Sequence, residues 1–309
     1  DAPKSRFWVG GTGSWSNTTE WAATSGGASG ASIPLPQDSI VFDANSFTAG
    51  GQTATLNMFC AGKDLNFTGV TNSPTFTLNS TGGSAVFGSI TFVSGMTFTQ
   101  SDAMYFAGRG SHTITSAGKS FGSGVLGDIY MVFCVGGTYT MQDALISTRD
   151  FIFRDGTFDA NDFNVTANLF SFSSVTRTRV ITMGNGSWIA TGTGTVWAAG
   201  TPTGLTVNEE GSTIVLNNAS ATGKTFAGGG ETYNNIQLTG AGTGTFTISG
   251  SNTFNTFTCD TPPHTIIFTA STTTTVTTFV VNGTAGNLMT IQSTSGSVAF
   301  TLSKVANNV

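Results

Sequence analysis

Two aspartates are the first candidates for chemistry in this sequence, Asp143 and Asp162, which lie 19 residues apart. Asp155 and Asp159 lie between them. Carboxylates about 5 Å apart suit a retaining glycosidase, and a wider pair suits an inverting one. The oxygens of Asp143, Asp159 and Asp162 at one corner could instead hold Ca²⁺. Asp also favours turns, so a structural turn role is the simplest interpretation, with calcium binding and polysaccharide cleavage as alternatives.

The two histidines do not complete a catalytic set. His112 and His264 are far apart in the sequence, and each stands beside threonine in strand-like or corner-like segments. A Ser-His-Asp triad on a nucleophile elbow needs Gly-x-Ser-x-Gly before a helix, and no such segment is present. We therefore expect both histidines at the surface or at corners of the chain.

Two Gly-Lys-Ser/Thr segments resemble the end of a phosphate-binding loop. They are residues 118–120 and 223–225. The motif requires a further glycine five positions before the glycine that precedes the lysine. These positions hold Thr113 and Asn218 instead. No helix is expected to follow either segment, so neither is predicted to bind a nucleotide.

Composition narrows the fold class and the partners. Of the 309 residues, 55 are Thr, 41 Gly and 32 Ser, whereas only 9% are charged and four are Glu. The scarcity of helix formers excludes helical bundles, and the 25 recurring Phe argue against disorder. The net charge is −5, with no basic cluster for nucleic acid and no apolar run of membrane-spanning length. Cys60, Cys134 and Cys259 are too widely spaced for a disulfide framework, so buried free thiols are predicted.

Asp143 and Asp162 belong to an internal repeat, and this repeat indicates which strands and turns position them. Segment 137–146 aligns with 156–165 at an offset of 19, and the same offset carries Phe151 and Phe153 onto Phe170 and Phe172. Further on, Phe226 maps to Phe246 at 20, and Tyr233 and Ile236 map to Phe254 and Phe257 at 21. Repeats of this length with Gly, Asn or Asp between short alternating segments are typical of solenoid coils.

The sequence therefore predicts an all-β fold, a parallel β-helix (β-solenoid) of 19–21-residue coils over residues 51–309. Large apolar residues alternate with Thr, so one set is expected to point inward and the other outward. At about 20 residues per coil this gives roughly 13 coils. A β-sandwich or propeller is less consistent with the repeat length.

Residues 1–50 read as an N-terminal cap or attachment segment. Three of the five tryptophans lie here, Trp8, Trp15 and Trp21. Their predicted role is to shield the first coil, because an exposed solenoid end would polymerise. The alternative is that they bind glycan by stacking on sugar rings. Threonine-rich segments 191–195 and 272–275 raise a further alternative, flat arrays that bind ice or another crystal surface.

Several segments resemble a family of Gly/Thr-rich β-solenoid repeat proteins of bacteriophage and environmental bacterial genomes. They are 7–15 with Trp21 and 25–27, then 156–161, 224–230 and 284–288. The resemblance implies a virion-associated or cell-surface, fibre-like protein without catalytic residues to carry over. It also leaves open whether the chain is processed at, or continues beyond, Val309.

From these observations we expect a structural or interaction protein, not an enzyme, in an extracellular assembly such as a phage virion or a surface filament. The expected partners are copies of itself or other virion or surface proteins, and a host-surface glycan, with no nucleic acid and no membrane insertion. No cofactor is expected apart from the Ca²⁺ alternative. The alternative function is a polysaccharide-binding or polysaccharide-cleaving depolymerase on the same scaffold.

Overall fold

The chain is all-β and forms a parallel β-solenoid, as the sequence predicted. The computed structural model describes residues 1–122, 128–131, 134–173, 177–240 and 242–305. It divides into two compact units, Asp1–Phe158 and Asp159–Val309. Together they contain about 11 coils of roughly 23 residues per turn. A single 3-10 turn at Thr18–Glu20 is the helical structure found in the described residues.

The first unit consists of short strands, each of two to five residues. They are β1 (Ser5–Trp8), β2 (Gly13–Ser14), β3 (Trp21–Ala22), β4 (Ser39–Val41), β5 (Thr53–Leu56), β6 (Cys60–Gly62), β7 (Leu65–Asn66), β8 (Thr75–Leu78), β9 (Ser84–Val86), β10 (Ile90–Thr91), β11 (Thr97–Gln100), β12 (Met104–Phe106), β13 (Ser111–Thr115), β14 (Ser120–Phe121), β15 (Ile129–Met131), β16 (Thr138–Met141), β17 (Leu145–Ser147) and β18 (Phe151–Phe153). Strand β19 (Gly156–Asp159) crosses the boundary between the units.

The second unit has longer strands, up to nine residues. They are β20 (Val165–Ala167), β21 (Phe170–Ser171), β22 (Arg179–Thr182), β23 (Ser187–Ala190), β24 (Gly194–Ala198), β25 (Leu205–Asn208), β26 (Thr213–Leu216), β27 (Lys224–Ala227), β28 (Thr232–Leu238), β29 (Phe246–Ser249), β30 (Thr253–Cys259), β31 (Thr265–Phe268), β32 (Thr273–Val281), β33 (Thr290–Ser293) and β34 (Thr301–Lys304).

Within the first unit, each strand pairs in parallel with the equivalent strand of the next coil. The pairing orders are β1-β4-β7-β10-β13-β16, β2-β5-β8-β11, β6-β9-β12-β15-β18 and β14-β17. Strand β3 lies antiparallel to β1 at the outer edge of the first of these sheets. Because β4 also pairs with β7, that sheet continues past residue 50. The assignment of residues 1–50 as a cap or attachment segment stays a prediction.

Within the second unit the same arrangement continues. The pairing orders are β22-β25, β21-β24-β27-β29-β31-β33 and β20-β23-β26-β28-β30-β32-β34. All of these pairs are parallel.

The alternation of residue types sorts side chains into inward and outward columns. In β5, β8 and β11 the register aligns Ala54, Phe76 and Phe98, all of which are buried. The threonines on either side of these residues form two outward columns. In one column, the hydroxyl groups of Thr77 and Thr99 form a hydrogen bond of 2.9 Å. Stacking large apolar rings inward and β-branched residues outward suits a pleated strand that is covered on one face. The predicted division of roles between Phe and Thr is confirmed here.

The predicted repeat offsets are confirmed in two places and wrong in one. Backbone N–H of Thr157 donates to the Gly137 carbonyl at 2.8 Å, the parallel-strand bond expected for the offset of 19. At the offset of 21, Tyr233 pairs with Phe254, and Ile236 pairs with Phe257. The alignment of Phe226 with Phe246 is wrong, because the register places Lys224 beside Phe246 and Phe226 beside Ile248.

The predicted coil count of roughly 13 is too high, since coils vary in length. Thr53 pairs with Thr75, 22 residues later, whereas Gly194 pairs with Lys224, 30 residues later. Lengthening a surface loop costs little free energy, so turns of different size connect strands without disturbing the pairing. The segments that show the repeat most clearly in the sequence are among the shorter coils.

A glycine is required where β19 begins. Gly156, which lies at the start of β19, has φ +78°, and a Cβ at this position would lie 2.6 Å from the Cys134 carbonyl oxygen. Only a residue without a side chain fits both the left-handed backbone and this close approach.

Phe151, Phe153, Phe170 and Phe172 all point into the core of their own units. Each is buried, and ring centroids are 6.4 Å apart within the first pair and 6.3 Å within the second. The stacking of one pair on the other at the offset of 19 stays a prediction.

We expect Phe153→Ala to lower the free energy of unfolding by about 3–5 kcal/mol, because it removes a fully buried ring and leaves a cavity. Chemical denaturation followed by circular dichroism measures the loss. Ile146→Ala, at an exposed position in β17, is the control and should cost less than about 1 kcal/mol. Equal effects of the two substitutions would contradict the inward assignment of Phe153.

Candidate functional site: an exposed surface at the last coil

The three N-terminal tryptophans form one buried cluster. Trp8, Trp15 and Trp21 are each 0% exposed, and Trp21 packs edge-on against both others, with ring centroids 5.1 and 4.8 Å apart. Each indole N–H donates to a backbone carbonyl at 2.9–3.1 Å. Stacking on a sugar needs an exposed ring face, which none of the three offers. The three side chains are therefore core residues without a ring face on which a sugar could stack, and their role in shielding the first coil stays a prediction.

Asp143 holds a turn of the neighbouring coil. Its Oδ1 accepts the backbone N–H of Ser116 at 2.7 Å, and its Oδ2 accepts that of Ala117 at 2.6 Å. Ala117 has φ +51°, so this turn is in the left-handed region. The carboxylate thus satisfies two turn donors that the strand ladder does not reach.

Asp162 and Asp159 have comparable structural contacts in the second unit. Oδ1 of Asp162 accepts both the backbone N–H and the side-chain amide of Asn185, each at 2.8 Å. Asp159 accepts the backbone N–H of Asn161 within its own turn. In the described part of the chain, no group of three or more His, Cys, Asp or Glu residues is arranged to hold a metal ion. The contacts of Asp143, Asp159 and Asp162 are those of turn residues.

Both histidines are buried rather than at the surface, and they lie close to corners, which is the other position that the sequence allowed. His112 lies in β13 and His264 precedes β31, and they are 8% and 5% exposed. Nε2 of His112 is 3.2 Å from the Arg109 carbonyl oxygen, and the His264 ring packs edge-on against Phe246. Burial lowers the pKa of His264. Both imidazoles are core residues close to corners.

The lysines of the two Gly-Lys-Ser/Thr segments tie down turns. Nζ of Lys224, at the start of β27, donates to the Ser220 carbonyl at 2.6 Å, and burial lowers the pKa of this ammonium group. Nζ of Lys119 donates to the Ser94 carbonyl at 2.8 Å. Strand β14 follows Lys119, and Lys224 itself begins β27, whereas a phosphate-binding loop leads directly into a helix.

The three cysteines are free thiols, as predicted. Burial was predicted for all three; it is confirmed for Cys134 and Cys259 and wrong for Cys60, which is partly exposed. Burial raises the pKa of Cys60 and of Cys259 to about 11. At neutral pH both are therefore protonated and poor nucleophiles.

Strand edges are exposed at the last coil of the second unit. Strand β33 pairs with β31 on one side, and β34 pairs with β32; both are terminal strands of their sheets as described. A terminal strand presents a row of backbone N–H and C=O groups with no strand partner. These edges can accept a further β-strand.

The apolar core is uncovered at the same place. Ile291 continues the inward column of Phe246 and Ile266, but it is 42% exposed, whereas the other two are fully buried. Val298 and Leu288 are 45% and 73% exposed. Ile291, Val298 and Phe300 line a groove of about 550 Å³. We call the edges of β33 and β34, with Leu288, Ile291, Val298 and Phe300, the open-end surface.

The open-end surface carries almost no charge. Between Asp260 and Lys304 the sequence contains no Asp, Glu, Lys or Arg. Charged side chains on a strand edge prevent pairing with another chain, and here Lys304 in β34 is the one charged residue of the last coil. Two identical surfaces of this kind can approach without strong repulsion.

Sequence reasoning did not identify this surface. Its apolar residues are ordinary members of the alternating pattern, and only the register shows that nothing in the described residues stacks beyond them. The available signal was the long charge-free stretch from 261 to 303.

Comparison with protein-family models, curated proteins and solved structures found no match to this chain. Among the described residues, no helix has the length and apolar character needed to span a membrane.

We expect Asp143→Ala to lower the free energy of unfolding by about 1–3 kcal/mol, because the N–H groups of Ser116 and Ala117 lose their acceptor. Denaturant titration measures this change. Asp159→Ala removes a bond within one turn and should have a smaller effect. A polysaccharide-cleaving activity that Asp143→Asn abolishes without loss of stability would show instead that Asp143 is catalytic.

Proposed function

We propose that this protein is a structural and interaction component that associates with copies of itself, and that a polypeptide of residues 1–309 does so through the open-end surface. The proposal rests on two features of the same coil. The outer edges of β33 and β34 have no strand partner in the described residues, and Ile291, the last residue of an inward column, is exposed. Because β33 and β34 end different sheets, one added strand beside each would satisfy their backbone groups, and the strand beside β33 would also help to cover Ile291.

Contact between two open-end surfaces would be isologous, since the same patch serves both copies. A two-fold axis would bring β33 of one copy beside β33 of the other as antiparallel strands. The near absence of charge between residues 261 and 303 supports such like-with-like contact. The groove beside Val298 and Phe300 provides room for apolar side chains of the second copy.

The first coil also has terminal strands, but its apolar core is covered. There, β3 pairs antiparallel with β1, and the tryptophan cluster fills the space inside. Backbone N–H groups of Gly30 and Ala31 both donate to the Trp21 carbonyl at 3.0 Å, which holds the following loop against β3.

The biological setting we propose follows from the sequence resemblance: an extracellular assembly, such as a phage particle or a surface filament. A charge-poor scaffold with Thr-rich outward columns suits a structural component rather than an enzyme that turns over substrate. Imaging of the protein in its native source tests this setting separately from dimerisation.

We expect the purified chain to form a dimer whose fraction rises with concentration, and Ile291→Lys to remain monomeric. A lysine at this position would place an uncompensated charge in the interface. Sedimentation velocity over a hundredfold concentration range measures the mass. Circular dichroism should show an unchanged fold, because Ile291 is exposed in the isolated chain.

Ile146→Lys is the matched control, since it places the same charge at an exposed isoleucine of β17. This variant should dimerise like the unmodified chain. A chain that stays monomeric at all concentrations, or a dimer that Ile291→Lys leaves intact, would overturn the proposed interface.

A further inference from the structure

A buried histidine of the second unit is attached directly to the last coil. His264 precedes β31 and is 5% exposed, and its backbone carbonyl oxygen accepts the N–H of Thr290 at 2.8 Å. Thr290 is the first residue of β33, so this bond joins the start of β33 to the coil before it. Neither ring nitrogen of His264 forms a hydrogen bond with the described residues. A buried imidazole without such bonds is costly to charge, so a proton added here changes the stability of its surroundings.

A cavity of about 230 Å³ is shared by His264 and the last coil. Its walls include Thr265 beside the histidine and, from the last coil, Leu288 and Thr290. Leu288 and Thr290 are both exposed, and β33 is the terminal strand of its sheet as described. Movement of this wall would therefore connect the cavity to water while breaking few buried contacts.

Lys224 places a positive charge close to this imidazole. Its side chain is buried in the same column as Phe246, and Nζ lies 5.6 Å from the centroid of the Phe246 ring. The ring of His264 packs edge-on against the same phenylalanine, with ring centroids 5.1 Å apart. Two positive charges that share one aromatic neighbour in the core would repel each other, because little water is present to screen them.

The other segments packed around His264 supply no opposite charge. Residues 242–245, which lead into β29, and residues 282–293, which contain β33, include no Asp, Glu, Lys or Arg. Asp260 is the carboxylate nearest to His264 in the sequence, and it is exposed to solvent. A proton on His264 would therefore face Lys224 without a buried anion to offset it.

The direction of the pH effect follows from the surroundings of the imidazole. Burial lowers the pKa of His264 below its ordinary value of 6.5, and the charge of Lys224 lowers it further, whereas backbone groups of Gly240 and Gly244 act in the opposite direction. Once the cavity opens to water, the imidazole would regain its ordinary pKa. The closed coil is therefore fully stabilised above pH 6.5, and this stabilisation is lost as the pH falls from 6.5 through the lower pKa of the closed state.

We propose that protonation of His264 releases the last coil, so that β33 and Leu288 detach from β31 at acidic pH. Opening the cavity lets water reach the imidazole and removes the cost of a second buried positive charge beside Lys224. This device goes beyond the proposed self-association, because it operates within a single copy of the chain.

Hydrogen exchange followed by mass spectrometry tests the proposal on the dilute chain at about pH 7.5 and about pH 5.5, on either side of the ordinary pKa of histidine. Exchange rates are corrected for the intrinsic effect of pH. A peptide that spans residues 286–294 should lose protection at the lower pH, by up to about tenfold for each pH unit between the ordinary pKa and that of the closed state. Peptides from β23 and β26 should keep their protection, because the opening is confined to the last coil.

Three variants assign the effect to one imidazole. His264→Gln and His264→Phe remove the titrating group, so residues 286–294 should be equally protected at both pH values. His112→Gln is the matched control, since it removes a buried imidazole of the first unit, and it should keep the pH response of the last coil. Each variant is compared with itself at two pH values, so a constant loss of stability does not affect the comparison.

Two results would overturn the proposal. One is equal protection of residues 286–294 in the unmodified chain at both pH values, and the other is a loss at acidic pH that persists in both His264 variants. Exchange in the dilute chain does not require two copies to associate. Failure of self-association and failure of the pH response therefore remain distinguishable.

Discussion

Pairing of each strand with its equivalent one coil away is the interaction on which the rest of this structure depends. A strand of two to nine residues cannot bury a face or satisfy its backbone alone. Parallel pairing does both at once, because it closes the backbone hydrogen bonds and stacks like side chains into columns such as Ala54, Phe76 and Phe98. The abundance of Phe and Thr follows from this constraint, since one suits the inner columns and the other the outer ones.

The same constraint explains why residues that suggest chemistry serve as turn residues. Turns must vary in length to bring strands into register, and their N–H groups lie outside the ladder. Asp143, Asp162 and Lys224 each hydrogen-bond to a turn, the first two by accepting and the last by donating. Carboxylates related by the repeat thus recur because turns recur, and the repeat alone is no sign of a catalytic pair.

Strand pairing leaves two kinds of surface. One is the outer edge of a terminal strand, and the other consists of outward side chains whose type the pairing does not determine. At the last coil, β33 and β34 have a partner on one side, and Ile291 is half uncovered. On the outer face of β12 and β15, pairing places Tyr105 beside Tyr130 but does not require either position to be aromatic. We propose the first of these surfaces as the site of self-association.

Composition and alternation alone were enough to predict the all-β solenoid, the inward phenylalanines and the free thiols, because these depend on local pattern and residue type. They were also enough for the offsets of 19 and 21, where coils are short. The coil count, the partner of Phe226 and the burial of His112 and His264 depended on the register of the folded chain. Loop length is nearly neutral in free energy, so the sequence carries little record of which strands meet. Asp128 and Asp150, 22 residues apart, and Phe59 and Tyr105, 46 apart, become neighbours only when those loops have closed.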